Sequence, residues 1–135
     1  MNPTEIATCG LVFWHFAMVM MLGGLRVSLV LSRKKPPNDF SPDGKDVSAF
    51  SARLCRAHAN SYETVPFLLA LLMLSLYKSG GEWTNALALV LLGARMLQSV
   101  THIYSTNNVA VNIRFGFFLV QVLIALYWVF AFVTA

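Results

Sequence analysis

Charge is scarce in this sequence, and acid scarcer still: 12% of the 135 residues are charged, and only 6 are Asp or Glu. A soluble domain carries about 25% charged residues. A chain of this length holds one domain with a large surface for its volume, so a water-soluble fold could not hide side chains that are 57% hydrophobic. Cysteine is nearly absent. Cys9 lies in an apolar run and Cys55 in a basic stretch at the far side of a membrane, which excludes a disulfide framework. Three scattered histidines and two scattered cysteines lack ligand spacing, so no metal centre is expected. There is no Gly-rich phosphate loop, internal repeat or low-complexity tract. The opening Met1-Asn2-Pro3-Thr4-Glu5 lacks the basic start of a signal peptide, and the first apolar run therefore reads as a permanent span.

What is present is length of apolar run. A helical span needs roughly 20 apolar residues. Ile6–Leu25 carries no formal charge, Phe115–Ala135 carries none, and Trp83–Tyr104 carries only Arg95. The second run is shorter. Thr64–Tyr77 is 14 residues, about 21 Å as a helix. It can cross only if helix continues backward through Glu63, Asn60 and Arg56, whose polar groups must then face protein or water. The pattern predicts an all-α, integral membrane four-helix bundle in a single domain, with helices over 6–32, 50–78, 83–104 and 110–134. Arg33–Ala49, with Pro36, Pro37 and Pro42, reads as a wet loop, Ser79-Gly80-Gly81 as a tight turn, and Ser105–Asn112 as a linker.

The excess of base, a net +4, is concentrated between Arg33 and Arg56. That placement suits lipid headgroups and gives no sign of a nucleic-acid partner. By the positive-inside bias, the 33–49 and 105–112 loops should be cytoplasmic and both termini outside. Trp14, Trp83 and Trp128 read as interfacial anchors and packing residues of the outer half.

The polar residues inside the spans fall in stripes. Arg53, Arg56, Asn60, Glu63 and Phe67 are spaced 3, 4, 3 and 4, one face of a helix, and Pro66 should loosen the backbone beside Glu63. Arg95, Gln98 and His102 form a second stripe, Arg114 and Gln121 a third, and Arg26 lies near the end of the first helix. An intramembrane charge costs about 2.5–3.5 kcal/mol on insertion scales. Glu63 and Arg95 are natural partners, but Arg26, Arg56, Arg95 and Arg114 face that single carboxylate, and surplus buried cations call for an external anion. Guanidinium forks suit carboxylates, Asn matches a peptide group, and Glu can receive an ammonium. A small peptide with carboxylates and an α-amine, such as glutathione, fits that inventory.

The segment Arg53-Leu54-Cys55-Arg56-Ala57-His58-Ala59-Asn60-Ser61-Tyr62-Glu63-Thr64-Val65-Pro66-Phe67 resembles the second-helix signature of the membrane-associated proteins in eicosanoid and glutathione metabolism. Ala94-Arg95-Met96-Leu97-Gln98 and Ile113-Arg114-Phe115 extend the likeness over nearly the whole chain, toward a bacterial-type, microsomal glutathione transferase-like member. The resemblance implies a homotrimer with glutathione as co-substrate bound between protomers. Arg56, Asn60, Glu63 and Arg95 would contact it, with Arg53, Gln98 and His102 lining the same site. Arg114 would act as the catalytic cation that holds the thiolate. The implied activity is transfer to, or reduction of, a lipophilic small molecule drawn from the membrane lipids. A non-catalytic lipid- or glutathione-binding protein of the same fold is the alternative. His102 stands where relatives often carry tyrosine, Gln98 where some carry histidine, and Arg26 lies about two turns early for the first-helix arginine, whose place Arg33 would take. Each residue also has a plainer reading. Arg114 can anchor lipid phosphate, Arg53 can be a surface anchor, Arg33-Lys34-Lys35 can bind headgroups, and His15 can bond a neighbouring helix, while His58 lies off the stripe.

Overall fold

A computed structural model describes residues 1–134; Ala135, the end of the fourth apolar run, lies outside the described residues. Four helices follow one another: α1 Pro3–Leu31, α2 Ala49–Ser79, α3 Asn85–Tyr104 and α4 Asn108–Thr134. All four are long and apolar enough to cross a bilayer, so the chain is a multi-pass integral membrane protein. Large apolar side chains such as Phe13, Phe16, Leu97, Phe115, Leu123 and Phe130 are exposed, as they are when the surrounding solvent is hydrocarbon.

The helix ends differ from the hydropathy reading where local hydrogen bonding decides. α1 starts at Pro3, three residues before the apolar run. Asn2 caps it: its side chain accepts from the Glu5 N–H at 2.9 Å, and the Glu5 carboxylate accepts from the Asn2 N–H at 2.8 Å. α3 starts at Asn85 because Gly81–Thr84 is spent on the turn. α4 starts at Asn108, where the Asn107 side chain accepts from the Ala110 N–H at 2.8 Å. α1 ends in a Schellman motif. The Lys34 N–H bonds to the Leu29 carbonyl and the Arg33 N–H to that of Val30, with Arg33 left-handed at φ 56°. α2 runs unbroken through Pro66 for 31 residues, so Arg56, Asn60 and Glu63 all ride on a spanning helix.

Consecutive helices run in opposite directions. α3 is the hub and packs broadly on α1, α2 and α4; α2 touches α4 slightly, and among the described residues α1 and α4 do not pack on each other. The bundle is divided along its length. Its apolar core, with Ala7 and Leu11 of α1, Leu68 and Leu72 of α2, Leu91 of α3 and Trp128 of α4, fills the half away from the basic loop. Trp128 is fully buried there, so it packs and does not anchor at an interface. Trp83 packs on Phe132, ring centroids 5.2 Å apart.

A polar clasp closes the apolar end, and hydropathy gave no sign of it. Thr4 is buried, and its hydroxyl meets the Gly81 carbonyl at 3.0 Å, Thr84 Oγ1 at 2.8 Å and Asn85 Oδ1 at 2.8 Å. Gly81, at φ 96°, must be glycine: a Cβ there would stand 3.0 Å from Thr4 Cβ. At the other end the 33–49 loop folds down onto α2, and Gly44, at φ 67°, lies against Ser51 and Cys55. Lys35 ties this loop by ion pairs to Asp39 at 3.1 Å and Asp46 at 3.0 Å.

Thr4→Val keeps the shape and deletes the hydroxyl, so it should cost about 1–3 kcal/mol of stability, read as a lowered thermal midpoint in detergent. In the loop, hydrogen bonds from Ser41 and Lys35 hold the Asp46 carboxyl below the usual carboxylate range, and Asp46 and Asp39 raise the Lys35 ammonium. A depressed carboxyl stabilises the folded form above its unfolded value and loses that contribution as pH falls through the folded one. The clamp is therefore charged at neutral pH and should open only below about pH 4, seen as faster amide exchange over 38–47.

Candidate functional site

The half of the bundle nearer the basic loop holds the polar stripes. α3 presents Arg95, Gln98 and His102, and because the spacing is 3 and 4 they climb one face over about 10 Å. Each finds a partner on a different neighbour or level. Arg95 Nη1 donates to Asn60 Oδ1 on α2 at 2.9 Å. Gln98 Oε1 accepts from Gln121 Nε2 on α4 at 2.9 Å. His102 Nδ1 and Arg114 Nη1 on α4 are 2.9 Å apart. Arginine has no acceptor, so Nδ1 must be the acceptor, and a neutral His102 carries its proton on Nε2. α4 is antiparallel to α3, so the pairs run in reverse order, Gln98 with Gln121 and then His102 with Arg114, whose long side chain spans the remaining offset.

Arg95 is the deepest of these groups, 1% exposed. One bond serves it. Its Nε and Nη2 are buried with no protein partner. The expected Glu63–Arg95 ion pair is absent: no salt bridge involves either residue among the described residues. Asn60 and Glu63 are three positions apart, about 60° around the helix, and only Asn60 turns toward α3. Glu63 points away from the bundle with Arg56, Pro66, Phe67 and Ala70, all exposed on one face of α2. That face is continuous along the helix and carries both a cation and an anion at membrane depth.

Arg53 stands apart from the others. Its Nε donates to the Ile103 carbonyl at 2.7 Å, which satisfies a free carbonyl in the last turn of α3. Arg26 also lies elsewhere, against the folded loop, with Nη2 3.5 Å from the Ser41 carbonyl. Arg56 lines a cavity of about 260 Å³ with Pro42, Asp43, Cys55 and Ala59. Arg114 is in contact with His102, and Arg95 and Arg56 flank Asn60, the one along α3 from His102 and the other one turn away on α2. Arg56, Asn60, Arg95, Gln98, His102 and Arg114 therefore make one constellation. Glu63 sits on its outer edge and Arg53 at its end.

Nearly the whole chain, residues 4–134, matches the family model described as "MAPEG family". The chain belongs to the MAPEG family. No curated protein and no solved structure matches it. Membership in the MAPEG family covers all four helices, so the frame that holds Arg95 and Arg114 is a family frame.

Two features escaped the sequence reading. His15 on α1, expected to bond a neighbouring helix, instead stacks on His58 of α2, centroids 5.1 Å apart at 25°, with its Nδ1 buried and without a protein partner. His58 lies off the Arg56–Asn60 stripe because it faces α1. The Gln98–Gln121 bond was also missed, since it needs the α3–α4 register. The signal for the second was present: a glutamine seven residues after Arg114, in an otherwise apolar run, has to find a partner.

Asn60→Leu removes the one bond of a buried guanidinium and should cost about 1–3 kcal/mol. Adding Arg95→Met should recover most of that loss, since an apolar pair replaces a half-satisfied one. A double-mutant cycle in thermal or denaturant unfolding reads the coupling.

Proposed function

We propose that the protein is a glutathione-dependent membrane transferase or peroxidase that acts on lipophilic electrophiles or hydroperoxides. The observation that supports this most is the excess of cation at one point. Arg114 contacts His102, Arg95 lies on the same face of α3 bonded to Asn60, and Arg56 stands one turn before Asn60 on α2; none has an ion pair among the described residues. Buried or half-buried guanidinium groups in a membrane protein need a counter-anion, and the unpaired Nε and Nη2 of Arg95 are donors with no acceptor. A tripeptide with two carboxylates, amide groups and a thiol supplies acceptors of the right charge, and MAPEG membership favours glutathione over other anions.

In this reading Arg56, Asn60, Glu63 and Arg95 bind the peptide, with Glu63 receiving its α-ammonium. The charged outer face of α2 then belongs at a contact between protomers of a homotrimer, because Glu63 facing lipid would be unstable. Arg53, bonded to the Ile103 carbonyl, keeps the end of α3 in place. Gln98, held by Gln121, fixes the level of the stripe. His102 orients Arg114 by accepting from it, which aims the remaining guanidinium N–H groups at the sulfur.

Arg114 is the catalytic cation. A free thiol has a pKa near 8.5, and an adjacent cation lowers it, so more thiolate forms at neutral pH. In transfer, the sulfur lone pair forms a bond to an electrophilic carbon and the leaving group departs with its electron pair. In peroxide reduction, the sulfur takes the distal oxygen, the O–O bond breaks and the alkoxide is protonated. A second glutathione then forms the disulfide and releases water. The lipophilic substrate reaches the sulfur from the lipid side.

Glutathione at a hundredfold excess over Kd should stabilise the purified protein by about 2.7 kcal/mol, read as heat protection. Arg114→Ala should keep that protection and lose both the ultraviolet absorbance of the bound thiolate and turnover of chlorodinitrobenzene. Protection without turnover in the unaltered protein would favour the non-catalytic binding protein. Absence of protection would reject the glutathione reading.

A further inference from the structure

A second excess of cation lies at the end of α1, away from the constellation on α3. Arg26 is 23 residues beyond Pro3, about 35 Å along the helix axis. The Asn2–Gly80 contact and the Thr4 clasp mark one end of the bundle. A hydrocarbon core is about 30 Å thick, so Arg26 reaches headgroup level at the other. The helix does not stop there. Val27, Val30 and Leu31 continue it for more than a turn, and the loop folds back so that Pro37 and Phe40 face them. Between helix and loop is a cavity of about 440 Å³ whose lining is apolar except for Arg26 and Asn38. Small-molecule sites span about 300–1,000 Å³. Val27 and Leu31 are 56% and 78% exposed, apolar surface at a level where water and headgroups meet.

The loop has acids, but other groups use them. Lys35 pairs with Asp39 and Asp46, and Lys45 pairs with Asp43. Arg26 lies over the Phe40 ring, 5.6 Å from its centroid, and its one hydrogen bond is the long one to Ser41. Arg33, placed outward by its left-handed backbone, and Lys34 next to it are exposed and have no ion pair among the described residues. One uncompensated cation, Arg26, thus lines the cavity at headgroup depth, and two more, Arg33 and Lys34, follow Leu31 of its lining in the chain.

We propose that this cavity is a binding site for an anionic phospholipid of the surrounding leaflet. Its phosphate meets the Arg26 guanidinium, a planar fork suited to two phosphate oxygens. Arg33 and Lys34 add field at the headgroup, and an acyl chain lies along Val27, Val30, Leu31 and Phe40. A zwitterionic lipid fits less well, since its quaternary ammonium would face the same cations. Free phosphate would leave the apolar walls wet. The cavity is separate from the α3 constellation, to which Arg26, Val30 and Phe40 do not belong.

Thermal unfolding of the purified full chain in detergent, with phosphatidylglycerol, phosphatidylcholine or glycerol phosphate added, tests this. Phosphatidylglycerol should raise the midpoint by several degrees and the other two by much less. The preference should vanish in Arg26→Gln and also in Val30→Trp, which fills the cavity and keeps the cation; it should persist in Arg56→Gln. If Arg26→Gln does not fold, Val30→Trp carries the decision. Equal shifts by phosphatidylglycerol and phosphatidylcholine, an unchanged preference in folded Val30→Trp, or an equal shift by glycerol phosphate would overturn the proposal.

Discussion

A guanidinium at membrane depth has to be bonded, and Arg95 makes that requirement organise the bundle. It sits on α3, which packs broadly on all three other helices, and it is almost fully buried. Lipid offers it nothing, and the single buried bond to Asn60 fixes the level of α2 against α3. Three and seven positions along the same face, Gln98 and His102 fix α4 by bonds to Gln121 and Arg114. Helix packing in lipid gains no hydrophobic driving force, so specific polar contacts of this kind carry register that apolar surfaces cannot. The result is a bundle with a dry, interdigitated half around Leu72, Leu91 and Trp128, and a polar half whose donors exceed its acceptors.

That imbalance links architecture to chemistry. A purely structural polar network would close on itself, each donor meeting an acceptor. Here two of the Arg95 nitrogens are unmet, and the one carboxylate of the stripe, Glu63, faces outward with Arg56. The unmet nitrogens lie inside the protomer, beside Asn60, while Arg56 and Glu63 stand on the side of α2 that no other helix covers. The His102–Arg114 bond adds a local point. In this chain the arginine at the start of α4 is oriented by an imidazole, which accepts and leaves the remaining guanidinium N–H groups free.

Much of the candidate site was legible from the chain. Helical spacing put Arg56, Asn60 and Glu63 on one side of α2 and Arg95, Gln98 and His102 on one side of α3, because 3.6 residues per turn leaves little freedom. The choice of partner was not legible. Charge complementarity favours Glu63 for Arg95, but a rotation of about 60° around α2 decides that Asn60 points inward and Glu63 outward. Likewise, hydropathy cannot see that His15 and His58 stack, that Trp128 is core, or that Arg53 serves the end of α3.

By itself the sequence determined that the chain crosses a membrane four times, since run lengths and the cost of buried charge admit little else. It also determined which helix faces are polar, and it carried the family signature. Only the tertiary structure decided which polar group meets which, where a loop folds back to enclose Arg26, and which hydrogen bonds close the far end at Thr4. Those outcomes depend on helix rotation and register between segments distant in the chain, and a periodic pattern fixes a face without fixing what stands opposite it.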